Sequence, residues 1–194
     1  MTIVKDGDDI IFDIRSRDSK GDICKIDGEI LISALPFDEF NVTIPDNVTK
    51  IADFAFDGCA NLKVIVVDSR NLVYDSRNNC NAIIETATNI LIKGCQNTVI
   101  PEDVTSIGDE AFSGCIGLEK IHLPNSLKSI GNCAFTGTGL TDIELPYSVD
   151  DMGIATFCGC KNLRLAKIPN HVRIYNERSD EYQFLGCPCE IIKY

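Results

Sequence analysis

The chain has no tryptophan, two histidines and two methionines, and aromatic residues make up only 7% of it. Its core must be assembled from aliphatic side chains and a few phenylalanines, and imidazole chemistry has two places to reside. Positive charge is also short, with 18 Lys and Arg against 29 Asp and Glu and a net charge of -11. Nucleic acid and anionic lipid both need a cationic surplus to displace counterions or to settle on headgroups, so neither is expected as a partner. Long apolar runs are missing too, none approaching the roughly 18 residues a bilayer-crossing helix requires, so no membrane insertion is expected. The opening stretch MTIVKDGDDIIFDIRSRDSK interrupts its apolar residues with Asp6, Asp8, Asp9 and Asp13, a pattern foreign to a secretory leader. If complete, a chain starting this way is expected to stay in the cytoplasm. Glycine and proline total 21 of 194 residues, which excludes collagen and low-complexity disorder.

What is present is a 44% hydrophobic content and a repeated phrase. Ala55-Phe56, Ala111-Phe112, Ala134-Phe135 and Thr156-Phe157 share one phase, and the last three phenylalanines lie 23 and 22 residues apart. Gly58, Gly114, Gly137 and Gly159 follow two positions later, and then Cys59, Cys115 and Cys160, with Thr138 as the one departure. Leu62, Leu118, Leu140 and Leu163 come next, then Ile65, Ile121, Ile143 and Ala166, then Val67, Leu123, Leu145 and Ile168. Upstream of each phenylalanine stands another pair: Val48 and Ile51, Val104 and Ile107, Leu127 and Ile130, Val149 and Met152. Self-similarity at this period marks a stacked repeat architecture, because one such unit cannot bury its own apolar side alone.

Each unit has a readable local physics. L-x-x-I-x-L alternates apolar and polar residues as a short strand with one face inward does. Proline closes it in three copies, since proline cannot donate to a strand ladder. GDEAFSGC and GNCAFTGT leave room for only a turn or two of helix before glycine stops it. Two segments break the period: ICKIDGEILIS around Asp27-Gly28, and YDSRNNCNAIIETATNILIKGCQNTVIP, where AII and ILI flank residues 85–89. Both are read as β-hairpins.

The phrase L-x-x-I-x-L-P-x-x-V/L-x-x-I-G-x-x-A-F-x-G-C resembles the BspA-like, or Treponema pallidum-type, leucine-rich repeats over about residues 22 to 175. The resemblance implies a non-enzymatic protein of the cell surface or the medium, attaching to host surface, matrix or other proteins, with no family catalytic residues to carry over. Fold and organisation follow: one leucine-rich-repeat solenoid of the α/β repeat class over residues 1–194, mostly short strands with short helical turns. A parallel β-sheet lies along one face and two coils carry hairpins. Residues 1–22 are expected as an N-terminal cap, 23–175 as repeats and 176–194 as a C-terminal cap.

Ten cysteines without a secretory leader read as reduced thiols, and those in the repeat phase as small core side chains. CGC at 158–160 and CPC at 187–189 are the sharper pairs, because four thiolates meeting there could hold zinc; a thiol- or zinc-dependent enzyme at this end is the alternative from another class. A purely structural spacer is a third. His122 and His171 fall at outward positions and read as surface residues rather than partners of a nucleophilic thiol. No nucleotide loop, serine elbow or zinc-protease motif is found, and no cofactor is expected.

The outward positions of the strands remain. They are Lys63, Val64 and Val66 on one coil, Glu119, Lys120 and His122 on the next of this kind, then Thr141, Asp142 and Glu144, then Arg164, Leu165 and Lys167. Inward positions repeat while these vary in charge and size, as suits recognition of a protein or glycoprotein ligand by a monomer.

Overall fold

In the structure, a computed structural model, residues 2–6, 9–13, 24–34, 41–53, 55–57, 59–175, 178 and 182–194 are described. Gly58 of the repeat phase, residues 1, 7, 8 and 14–22 of the expected N-terminal cap and residues 176, 177 and 179–181 of the expected C-terminal cap lie outside them.

The strands are short because each coil turns a corner every few residues. A hairpin of β1 (Thr2–Asp6) and β2 (Asp9–Asp13) comes first. The hairpin read around Asp27-Gly28 follows as β3 (Cys24–Asp27) and β4 (Ile30–Ala34), with Gly28 at φ 57° in its turn. Then come β5 (Asn41–Ile44), β6 (Lys50–Ile51), β7 (Val64–Val67) and β8 (Tyr74–Asp75). The second expected hairpin is β9 (Ala82–Glu85) with β10 (Ile90–Gly94), turned at Asn89, φ 57°. The uniform coils supply β11 (Ser106–Ile107), β12 (Ser129–Ile130), β13 (Asp142–Glu144), β14 (Asp151–Met152), β15 (Leu165–Ile168) and β16 (Glu190–Lys193).

Successive coils stack these into sheets. V-x-x-I segments make the longest sheet, ordered β14-β12-β11-β10-β9-β8, with Ile107 level with Ile130 and Ile130 with Met152. L-x-x-I-x-L segments make two separate parallel sheets, β5-β7 and β13-β15-β16. The expected face is therefore divided in its hydrogen bonding: between β7 and β13 lie the coil of β9 and β10 and the expected strand at 118–123, which is not formed.

Between the two kinds of strand lies the Ala-Phe segment. Ala111, Ser113 and Cys115 donate their N–H three residues back, to Gly108, Glu110 and Phe112. Alternate residues Glu110, Phe112 and Gly114 donate instead to the next coil, at Asn132, Ala134 and Thr136. Cys133, Phe135 and Gly137 repeat this toward Ile154, Thr156 and Cys158. The expected helical turn is thus held to single i to i-3 turns, because half of its donors are spent sideways and no α-helix propagates. Left-handed backbone flanks it, at Glu110, Cys133 and Ala155 on one side and at Gly114, Gly137 and Gly159 on the other. Among the described residues the one helical element is a 3-10 turn, Arg77–Asn79.

Phe112, Phe135, Phe157 and Phe184 stack as a ladder, with ring centroids 5.0, 5.3 and 5.2 Å apart and planes within 11° of parallel. That separation is close to the ~4.8 Å between paired strands, so the coil rise itself sets the stack. Each fully buried ring contributes about 1.5–3 kcal/mol. Phe184 shows that the last described residues continue the repeat: Gly186 has φ 76°, and β16 pairs in parallel with β15. Gln183 stands at the alanine position, fully buried, accepting from Tyr175 N–H at 2.9 Å.

The buried residues form two clusters, one from Leu31 to Cys95 and one from Cys80 to Phe184, which change over in the second hairpin coil. There Asn71 ties coils together, donating to the carbonyls of Pro45 and Val48 and accepting from Val73 and Tyr74 N–H. All of its hydrogen-bonding capacity is met, as a buried amide requires.

Candidate recognition surface

Strand burial alternates as the sequence pattern demands. Ile65, Ile143 and Ala166 are buried, while Val66 is 44% exposed between Ile65 and Val67. Lys63, Glu119, Lys120, His122, Asp142, Glu144 and Arg164 are exposed, and Val64, Thr141, Leu165 and Lys167 are half-buried. Asp142 is level with Leu165 and Glu144 with Lys167. Across that register Lys167 Nζ reaches Glu144 Oε2 at 3.0 Å, with side-chain exposures of 43% and 60%. Arg164 N–H donates to the Thr141 carbonyl at 2.8 Å, and Thr141 N–H to that of Glu119 at 3.1 Å.

Nine of the twelve sequence-derived positions, Glu119 to Lys167, thus form one band across three adjacent coils. Lys63, Val64 and Val66 are set apart from it, on β7 beside β5, with the hairpin coil intervening; Gln96 N–H of that coil donates to Leu62. Four neighbours escaped the sequence reading. Glu190 and Ile192 extend the band one strand further, level with Leu165 and Lys167, and Asn41 and Thr43 flank Val64 and Val66. The alternation in EIIK after CPC was the available signal for the first two.

The two histidines do not meet a thiol. His122 is 81% exposed with Glu102 at 3.9 Å. His171 lies edge-on to Tyr147 at 4.8 Å, its Nε2 2.9 Å from the Val149 carbonyl.

The repeat-phase cysteines have a structural occupation. Three direct their S–H at the coil before: Cys160 at the Phe135 carbonyl, 3.0 Å, Cys187 at that of Phe157, 2.9 Å, and Cys115 at that of Gly94, 3.8 Å. Burial pushes the Cys115 thiol up to about 11. Cys187 is pushed up by its hydrogen bond with Cys160 and then by burial. A thiol held protonated by burial, as at Cys115, is a poor nucleophile and a poor metal ligand, whereas the hydrogen bond from Cys187 lowers Cys160 against the effect of its burial. Thr138, in the same column, departs from the pattern: its hydroxyl lies 3.2 Å from Cys160 Sγ on the following coil. Among the described residues no group of three or more His, Cys, Asp or Glu is placed to hold a metal ion, and no helix is long and apolar enough to cross a membrane.

A family model described as the BspA type leucine-rich repeat region matches six copies, over residues 39–92 and 91–193. Among solved structures, the chain is similar to a leucine-rich repeat protein from Eubacterium ventriosum, with a TM-score of 0.64 and 26% identity over 76% of this chain and 40% of that one. The pneumococcal vaccine antigen PcpA matches with a TM-score of 0.56 and 20% identity, over 80% of this chain and 45% of that one. A leucine-rich cell surface protein from Faecalibacterium prausnitzii matches at 0.54 and 22%, over 79% and 47%. The chain therefore spans less than half the length of these relatives. No curated protein matches it.

Proposed function

The chain belongs to the BspA-type leucine-rich repeat family, and we propose that it is a non-enzymatic recognition module of the adhesin kind. It binds a protein or glycoprotein ligand, of a host surface or matrix, as a monomer displayed on the cell surface or released. The contact is made by the outward side chains of the L-x-x-I-x-L strands.

The observation that carries this reading is the contrast within each strand. Inward residues repeat in type from coil to coil, whereas the outward ones pass from Glu119-Lys120 through Asp142-Glu144 to Arg164-Lys167, with Asp142 and Glu144 level with Leu165 and Lys167. Varied chemistry on a monotonous frame is what extended repeat surfaces use to read a partner. Buried, hydrogen-bonded thiols and exposed histidines favour binding over chemistry. Relatives described as a cell surface protein and a vaccine antigen support display outside the cell.

The test compares wild type with the combined Lys63→Ala, Glu119→Ala, Asp142→Ala and Arg164→Ala variant in pull-downs from host-surface and matrix extracts. All four side chains are exposed, so the fold and circular dichroism are expected to be retained. A ligand held by wild type and lost by the folded variant is the expected result. Equal capture by both places binding elsewhere.

A further inference from the structure

The hairpin coil lacks an Ala-Phe turn, and the gap this leaves has not been closed by its neighbours. A notch of about 480 Å³ opens between the Ala55-Phe56 coil and the Ala111-Phe112 coil, floored by Ile92 and Lys93 of β10. It falls within the ~300–1,000 Å³ range of ligand clefts. Its walls are the two coils that would each have bonded to the absent turn.

The pattern of the other coils identifies what is missing. Elsewhere the N–H of the phenylalanine donates to the following coil, as Phe112 does to Ala134 and Phe135 to Thr156. At the notch the Phe56 N–H has no acceptor among the described residues. On the opposite wall, Asp109 and Ser113 stand where Asn132 and Thr136 do one coil later, and those two carbonyls receive Glu110 and Gly114 N–H. Asp109 and Ser113 carbonyls receive no such donor from the preceding coil. Only the middle of the ladder is filled, by Gly94 N–H to Ala111 at 2.9 Å, with Lys93 Nζ reaching the Glu110 carbonyl at 3.2 Å beside it.

Charge then selects the occupant. Asp53, Asp57 and Glu110 line the notch, exposed and without an ion pair among the described residues. Asp109 joins them, although its carboxylate is engaged by Asn132 N–H and Nδ2. Against four carboxylates stands Lys93, which is only 8% exposed and lies 5.9 Å from the Phe56 ring centroid. A second copy of a chain carrying -11 would be repelled.

We propose that this notch receives a turn of a basic polypeptide. The turn's backbone accepts from Phe56 N–H and donates to the Asp109 and Ser113 carbonyls, and a lysine or arginine beside it meets Asp53, Asp57 and Glu110. The site lies off the outward strand face and acts independently of it, so the quadruple strand-face variant leaves it intact.

A head-to-tail cyclised Lys-Ala-Phe-Lys-Gly-Thr peptide serves as the probe, with calorimetry and hydrogen exchange on the whole chain. Expected are binding to wild type and to the strand-face variant, protection in residues 52–60 and 109–114, and affinity about tenfold or more weaker for Asp53→Lys, Asp57→Lys, Glu110→Lys combined. The peptide with glutamate in place of both lysines is expected not to bind. Equal affinity for wild type and the triple variant overturns the proposal. So does spermine binding as tightly as the peptide, since charge alone would then suffice. Self-association abolished by the triple variant, or no binding by any basic probe, overturns it equally.

Discussion

From residue 100 onward every coil is built alike, whereas residues 41–95 put a hairpin where the others put a turn. In the first region four phenylalanines stack at the coil rise, and every second donor of the Ala-Phe segment from Glu110 to Gly114 and from Cys133 to Gly137 finds a carbonyl on the next coil. In the second, Phe56 stacks on no ring among the described residues: the Lys93 Nζ lies over it, and Gly94 faces Phe112 from the other side. One substituted coil therefore breaks the aromatic ladder, separates the core into two clusters and opens the notch, and with the strandless 118–123 segment it divides the outward sheet. Regularity supplies stability in a solenoid, and departures from it supply surface.

The sharpest way to break that comparison is to remove one ring from each region. Phe135→Ala empties the middle of the ladder and is expected to cost roughly 3–5 kcal/mol, while Phe56→Ala, at the edge of an open notch, is expected to cost below about 3. Equal losses in urea unfolding would mean that the ladder adds nothing beyond burial. Gly94→Ala probes the join, where a Cβ would sit 2.1 Å from the Phe112 ring. The ring must shift, at about 1–3 kcal/mol as in other overpacked cores, and the near-ultraviolet signal should change.

A charge clasp spans the same join. Arg77 pairs with Asp75 at 2.6 Å and with Asp103 of the following coil, and also donates to Asn89 at 2.7 Å. Burial pushes the Asp75 carboxyl up, but hydrogen bonds from Arg77 and Thr86 outweigh it and hold the group below the ordinary carboxylate value. A depressed carboxylate contributes stability that is present above its unfolded pKa and is lost as pH falls through its folded one. Acid titration should therefore loosen the 41–95 region before the ladder, and Asp75→Asn should flatten that part of the profile. Lys167→Ala, removing an exposed cross-strand pair within the regular region, is expected to change stability by no more than about 1 kcal/mol.

Much of this was legible because inward positions repeat in residue type. The phase of Phe112, Phe135 and Phe157, the inward Ile143 and both hairpins could be read from spacing alone. The last coil was harder to see, since Gln183 replaces alanine and Phe184 follows Phe157 by 27 residues. Its burial is made tolerable by contacts with Tyr175 and Arg173 that no repeat pattern encodes. Left-handed backbone at Glu110, Cys133 and Ala155 was equally hidden, because three unlike side chains share a conformation imposed by the bonds between coils. The outward positions could be listed from spacing, yet the division of the sheet could not, since it depends on the hairpin coil and on the 118–123 segment forming no strand.

Hydrogen exchange on the complex with the ligand captured from host-surface or matrix extract tests the central claim most directly. Protection is expected in the peptides covering 118–123, 141–145 and 164–168, with the 52–60 and 109–114 segments unchanged unless a basic turn is bound. A complex whose protection leaves those three segments at their free rates would contradict recognition through the outward face.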